Sequence, residues 1–174
     1  MPKIRKACAY RRVERAYTRI SKFREKSFIR ITPTRRIVRF SMGDPIKKFE
    51  YSLDLITKKS MQLRDNSLES ARQTSNRILE KKIGANSYYM KIRVYPHHVL
   101  RENPLAAGAG ADRMSTGMSH SFGKPIGVAA RVKHDQKIMS LNLDKANIEV
   151  GKLALKRAAS KLSCPCSIQI TKAM

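Results

Sequence analysis

The chain has 174 residues, 41% hydrophobic and 29% charged, which suits one domain with a modest core. Lys and Arg number 37 against 13 Asp and Glu, a formal net charge of +24, and a folded chain so charged repels itself unless a polyanion neutralises it. No run approaches the roughly 18 apolar residues of a membrane span, the N-terminus lacks the apolar core of a secretory signal, and three cysteines (Cys8, Cys164, Cys166) argue for a reducing compartment rather than a disulfide framework.

The first 40 residues hold 14 Lys and Arg and two acids, a net of +12 and half the chain's total. Tyr10, Tyr17, Phe23 and Phe28 interleave with those cations. Guanidinium groups pair with phosphates and stack on bases, and aromatic rings stack on unpaired bases, so the pattern points to RNA contact. A solvated basic tail is the plainer alternative, although such tails are poor in aromatic and β-branched residues and this one is not.

Arg36 to Phe40 is a short strand candidate, followed by a turn signal at Met42-Gly43-Asp44-Pro45. Phe49, Tyr51, Leu53 and Leu55 alternate with polar residues, the pattern of a half-buried strand. Ser67 is the expected N-cap of a helix whose stripe is Leu68, Ala71, Ser75, Ile78, Leu79 and Ile83, with Gly84 in the left-handed position after it. Met90, Ile92 and Val94 alternate in a strand with a basic outer face, stopped by Pro96. Residues 97–125 show no periodicity, and a connection so much longer than the usual 4–6 or so residues is a functional or mobile loop.

Ile126, Val128, Ala130 and Val132 then alternate as a strand, and Met139, Leu141 and Leu143 as another after a turn near Asp135-Gln136. Asn147 is placed to cap a last helix with the stripe Val150, Leu153, Ala154, Ala158 and Leu162. A short strand over residues 167–170 closes the chain. Strands and two helices without regular βαβ alternation give the α+β class: a small mixed sheet packed with two α-helices, a basic N-terminal extension, and one core from about residue 35 onward.

Signals for catalysis fail one by one. Gly108-x-Gly110 is followed by Arg113 where a dinucleotide fingerprint needs Gly, and no strand precedes it. Gly123-Lys124 is followed by Pro125 rather than the Ser or Thr of a phosphate-binding loop. His97 and His98 are adjacent, so their rings point to opposite faces of an extended chain, and Cys164-Pro165-Cys166 has the wrong spacing for zinc; no metal or cofactor is expected. The cysteines read instead as small buried hydrophobes. Asp112, Ser115 and His120 share a loop, but nothing sets a base against the serine.

Residues 92–117, and above all the long motif from Tyr95 to Arg113, resemble the ribosomal protein family known as L-sixteen in bacteria and L-ten-e in archaea and eukaryotes. Residues 121–132 are similar to that family's continuation, as are Tyr10-Arg11-Arg12, Ala16-Tyr17-Thr18-Arg19, Met42-Gly43-Asp44 and Leu68-Glu69-Ser70-Ala71-Arg72. The likeness covers nearly the whole chain and looks archaeal in type.

The resemblance implies a non-enzymatic component of the large ribosomal subunit, in cytoplasmic ribosomes, bound to large-subunit ribosomal RNA and neighbouring ribosomal proteins and not to a membrane. It implies a basic rRNA-binding extension (1–34) on an α+β domain (35–174). It also implies an internal loop (103–117) that points towards the peptidyl-transferase centre and touches tRNA transiently, near the tRNA sites, and a part in late subunit maturation. Carried over, the loop comprises Asn103, Ala106, Gly108, Ala109, Gly110, Ala111, Asp112, Arg113 and Gly117. Its small residues permit close approach to RNA, with positive φ at Gly108 and Gly110.

In that setting Arg5, Lys6, Arg11, Arg12, Arg19, Lys22 and Arg24 neutralise phosphates, and Tyr10 and Tyr17 stack on splayed bases. Arg93, His97, His98 and Arg101 anchor the loop's root, Arg113 and Lys124 bracket its returning arm, and Arg131 follows on a strand's polar face. Phe122 either stacks on a base or plugs the core. Three other readings compete: a DNA-binding protein, a nucleotide-using enzyme and a membrane-surface protein. The first is weakened by Glu69 and Glu80 among the cations of the first helix, the last by the want of a long basic amphipathic segment.

Overall fold

A computed structural model describes residues 5–13, 22, 23, 25, 27–106, 108, 110, 115 and 117–172. Among the described residues, eight strands form two sheets: β1 (Ser41–Gly43), β2 (Tyr51–Thr57), β3 (Met61–Arg64), β4 (Tyr89–Ile92), β5 (His98–Glu102), β6 (Lys124–Val132), β7 (Lys137–Leu143) and β8 (Cys166–Lys172). The larger sheet runs β1-β4-β7-β2-β8 and the smaller β3-β6-β5. Helix α1 (Asp65–Lys82) follows β3 and α2 (Ile148–Ala159) follows β7; the two helices pack on each other, α2 also on β2, β7 and β8. The class is α+β as expected, but the single mixed sheet becomes two, with every pairing antiparallel.

The main core lies between the larger sheet and the helices, where Leu53, Leu55, Leu63, Leu79, Met90, Met139, Leu141, Leu143 and Leu155 are fully buried. Burying each such side chain stabilises the fold by about 1.5–3 kcal/mol relative to leaving it in water. β2 is flanked by β7 and β8, and Asp54 and Ile56 on its second face are buried too, so the half-buried strand of the sequence pattern is almost wholly enclosed. Asp54 is taken up by Lys137 at 2.6 Å. Cys164 sits in this core with Cys166 packed against it.

Four local expectations change. Residues 36–40 join no sheet: Arg36 N donates to Asp65 Oδ2 (3.0 Å) and Val38 N to Glu69 Oε2 (3.3 Å), so α1 carboxylates take the donors that a strand would give its neighbour. Helix α1 begins at Asp65, before Ser67, and its buried stripe is Leu68, Ala71, Ser75 and Leu79. Its end is as expected, with Gly84 at φ 90° and its N–H on Glu80 O at 3.2 Å. In α2 the buried face is Gly151, Ala154, Leu155 and Ala158, while Leu153 is exposed. Gly151 belongs to that face, where a Cβ would collide with Leu143 Cδ1 and crowd Leu53 Cδ2 unless those leucine side chains moved.

The fourth change concerns residues 97–125. β5 occupies Val99 and Leu100 in a bulged pairing with β6, so the aperiodic stretch shrinks to 103–123. Within it Gly108 and Gly110 do take positive φ, 116° and 82°. The two ends are held close: Asn103 Nδ2 donates to Gly117 O (3.2 Å), and Gly123, at φ 76°, lies so near Glu102 that a Cβ would come within 2.7 Å of its carbonyl. Only glycine meets both demands there.

Candidate nucleic-acid interface

The smaller sheet has two unlike faces. Opposite residues in an antiparallel pair share a face, and the register sets Leu63 against Ala130 and Val99 against Val128, all buried. Val99 and Val128 form a small second core with Ile29, and Phe122 packs against it. Phe122 touches Phe28 at 4.9 Å between ring centroids and carries the Arg101 guanidinium 4.0 Å above its ring. Arg101 Nη1 also donates to Phe122 O at 3.0 Å. Of the two roles expected for Phe122, the core role is therefore occupied.

The other face carries Gln62 opposite Arg131, and Arg64 in one row with Ala129 and His98. The basic N-terminal segment lies on this face and is held through its main chain. Gln62 N donates to Arg11 O (2.9 Å), Gln62 Nε2 to Arg12 O (2.5 Å) and Arg64 Nη1 to Arg5 O (2.8 Å). A 3-10 turn over Ala7–Ala9 presents Tyr10, whose ring lies beneath the Arg64 guanidinium at 5.6 Å. Because backbone carbonyls make the attachment, the side chains of Lys6, Arg11 and Arg12 are left exposed. Arg5 alone of these four turns back, forming an ion pair with Glu102.

Arm and sheet enclose a cleft of about 370 Å³, lined among others by Arg5, Tyr10, Arg12, Gln62, His98 and Phe122. Burial, then Arg131 and Arg101, depress the pKa of His98, so its ring is held neutral near pH 7. Burial first, and the Glu102 carboxylate second, raise that of the Tyr10 phenol.

His97 and His98 part company as their adjacency requires. The His97 ring meets Tyr95 at 4.4 Å, and Tyr95 stacks on Phe40 (5.3 Å) beneath Arg35 at 4.8 Å. This second exposed aromatic and cationic surface lies along residues 32–40 and 95–97. Arg93 joins neither surface; it is exposed, and its Nε donates to Ser140 Oγ at 2.9 Å on β7. Lys22 and Lys124 are exposed, Lys124 opposite Glu102 in the register, and Arg131 is exposed beside Gln62. Asn103, Ala106, Gly108, Gly110 and Gly117 lie between β5 and β6. Tyr17, Arg19, Arg24, Ala109, Ala111, Asp112 and Arg113 lie outside the described residues.

Sequence reasoning missed Gln62, Arg64, Glu102, Arg35 and Tyr95. A polar residue between Met61 and Leu63 reads as solvent-facing, yet Gln62 is only 6% exposed because the arm covers it. Tyr95 and Arg35 carried a usable signal: an exposed ring with a nearby cation is the pairing already read in the first 40 residues.

Residues 14–169 match the family model described as ribosomal protein L16p/L10e. Among similar proteins is the large ribosomal subunit protein uL16 of Archaeoglobus fulgidus, 44% identical over 163 residues, 94% of this chain and 90% of that protein. That of Methanococcus maripaludis is 41% identical over 170 residues (97% and 95%), and that of Staphylothermus marinus 44% over 159 (90% and 91%). These relatives are structural ribosomal proteins and not enzymes, which agrees with the failed catalytic motifs. On a match across most of its length, the chain belongs to the ribosomal protein L16p/L10e family.

Proposed function

We propose that the chain is a structural constituent of the large ribosomal subunit that binds large-subunit ribosomal RNA through residues 1–34 and the small sheet beneath them. The observation that carries this reading is how the arm is attached. Three carbonyls, of Arg5, Arg11 and Arg12, hold it to β3, which leaves the guanidinium groups of Arg11 and Arg12 and the Lys6 ammonium facing outward on a chain of net charge +24. Cations arranged this way neutralise phosphates and release condensed counterions.

The domain 35–174 supplies the rigid platform, and neighbouring ribosomal proteins share the site. The loop 103–117 reaches towards the peptidyl-transferase centre and meets tRNA transiently, near the tRNA sites. The hydrogen bond from Asn103 to Gly117 O, which ties its two ends together, supports a loop closed at its root. No residue performs bond chemistry: the protein positions RNA and neutralises charge, supporting translation and late subunit maturation in cytoplasmic ribosomes.

Sucrose-gradient fractionation of a lysate tests this. The chain sediments with the large subunit at low ionic strength; a chain found only in the soluble top fractions refutes the proposal. Deleting Ala106–Ala111 leaves the fold intact and impairs translation, whereas loss of the fold assigns the loop a structural role instead.

A further inference from the structure

Two thiols lie against each other where the chain leaves α2 and enters β8. Cys164 Sγ and Cys166 Sγ are 3.2 Å apart, and Cys166 Sγ also reaches Cys164 O at 3.4 Å. The spacing brings this about: with one residue between them in extended chain, both side chains take the same side. The backbone around them is pinned. Lys58 N donates to Pro165 O at 2.9 Å, and Cys166 stands opposite Thr57 at the start of β8. Pro165 fixes its own φ, so the two sulfurs are held together rather than meeting by chance.

The pair lies just below the surface. Cys164 is 7% exposed, Cys166 is half-buried, and Pro165 between them is exposed, so a small polar reagent enters beside Cys166. The sulfurs also act on each other. With the Cys166 thiol as donor, their hydrogen bond holds the Cys164 thiol below its ordinary value and the Cys166 thiol above it, while burial pushes both up. Loss of one proton therefore leaves a thiolate, the nucleophilic form, with a thiol already beside it. Among the described residues no third His, Cys, Asp or Glu joins them in a group that could hold a metal ion. What two such sulfurs do without a metal is bond to each other.

We propose that Cys164 and Cys166 form a reversible thiol–disulfide couple, oxidised by a hydroperoxide and restored by a dithiol. One sulfur attacks the peroxide oxygen, the O–O bond breaks, and a sulfenic acid and water (or an alcohol) result. The other sulfur attacks the sulfenic sulfur and expels hydroxide, which takes up the remaining thiol proton as water. Both thiols are oxidised, one peroxide is reduced, and no oxygen stays on the protein. A single thiol at this place would go on to the irreversible sulfinic acid; the second diverts it. The sulfurs need to approach by only about 1 Å to reach the ~2.05 Å of a disulfide, so β8 keeps its place on β2. The ring so closed spans one intervening residue and is strained, hence easily reduced, which suits a chain whose sparse cysteines point to a reducing compartment. This inference is independent of RNA binding.

The test uses the full chain with Cys8→Ser, which leaves these two thiols alone, treated with a small excess of hydrogen peroxide. Its intact mass falls by about 2 Da as two hydrogens leave, both maleimide-reactive thiols disappear, and dithiothreitol restores them. Bond formation is at least about fivefold faster in the folded chain than in urea, because the fold holds the sulfurs together. Cys166→Ala in the same background gains oxygen, or joins two chains, and never shows the loss of two hydrogens; Cys164→Ala behaves alike, and the first variant suffices if the second fails to fold. A parent chain that gains about 16 or 32 Da instead, dimerises through sulfur, or keeps both thiols overturns the proposal. An equal rate in urea overturns it too, since the fold would then contribute nothing to the pairing.

Discussion

The two sheets handle buried polarity in opposite ways. On the larger sheet and its helices, most buried polar groups are paired within the chain: Glu69 accepts from Arg72, Gln73 and Val38, Ser75 Oγ donates to Ala71 O, and Asp54 Oδ2 takes Lys137 while its Oδ1 stays unpartnered. On the smaller sheet, the face under the N-terminal arm keeps unpartnered atoms on Gln62, Arg64 and His98 and presents exposed guanidinium groups. Both regions are antiparallel and both have an apolar side, so the fold class does not explain the contrast. A region that satisfies itself contributes stability alone; one that holds donors and acceptors in reserve is completed by a partner.

The largest effect belongs to the first region. Leu55 is fully buried in the main core, and Leu55→Ala costs about 2–5 kcal/mol of folding stability. Urea unfolding of the free protein measures this, with RNA affinity of the folded fraction unchanged. A loss near zero would erase the contrast, since the larger sheet would then not be the region that holds the chain together. Next comes Glu69→Gln, which removes the charge from bonds of 2.6 Å and 2.9 Å to Arg72 and costs about 1–3 kcal/mol. Arg72 holds the carboxyl of Glu69 below its ordinary value, so its contribution is full above the unfolded carboxyl range and is lost as pH falls through the lowered value. The variant flattens that acid limb of the stability curve.

On the smaller sheet the expected change is in binding rather than folding. Arg11→Ala together with Arg12→Ala leaves the melting temperature unchanged, because both side chains are exposed and the arm is held by their carbonyls. It makes the dependence of RNA affinity on salt shallower by about two, as a filter-binding titration over salt concentration shows. An unchanged slope would clear this face of RNA contact.

Legibility follows the same divide. The alternations of β2, β6 and β7 and the stripe of α1 were readable because each sets large apolar residues at a regular period, even where, as in β2 and β7, the second face is buried as well. β5 was not: its bulge at Leu100/Arg101 follows Val99 and Leu100, which are both buried, so period two never appears. β3, at four residues, is too short to show a period. The face of α2 was legible in part: Ala154, Ala158 and Leu162 are buried as expected, but Gly151 packs by having no side chain, which a hydrophobic pattern scores as a gap. Residues 36–40 read as a strand candidate, but carboxylates 29 and 31 positions away decide their pairing. At the interface the charges were plain in composition, whereas the reserve of Gln62 and His98 arises only once the arm folds over them.

The smallest effect is a pH dependence, and it tests whether the covered face is strained by its own charges. In the unfolded chain the imidazole of His98 titrates near 6.5; in the folded chain burial, Arg131 and Arg101 hold it lower. Below that unfolded value the unfolded state therefore binds a proton that the folded state resists. The free energy of unfolding falls with decreasing pH from about 6.5 until the folded ring also protonates, and is unaffected above it. His98→Gln removes this part of the slope, so the difference between wild-type and variant urea curves at pH 5.5 and 7.5 isolates it. An RNA phosphate seated near Arg131 and Arg101 lowers the local positive potential and draws the folded value back up. The same comparison made in the assembled subunit should then show a weaker slope than in the free protein, and an equal slope in both would mean that no anion reaches this face.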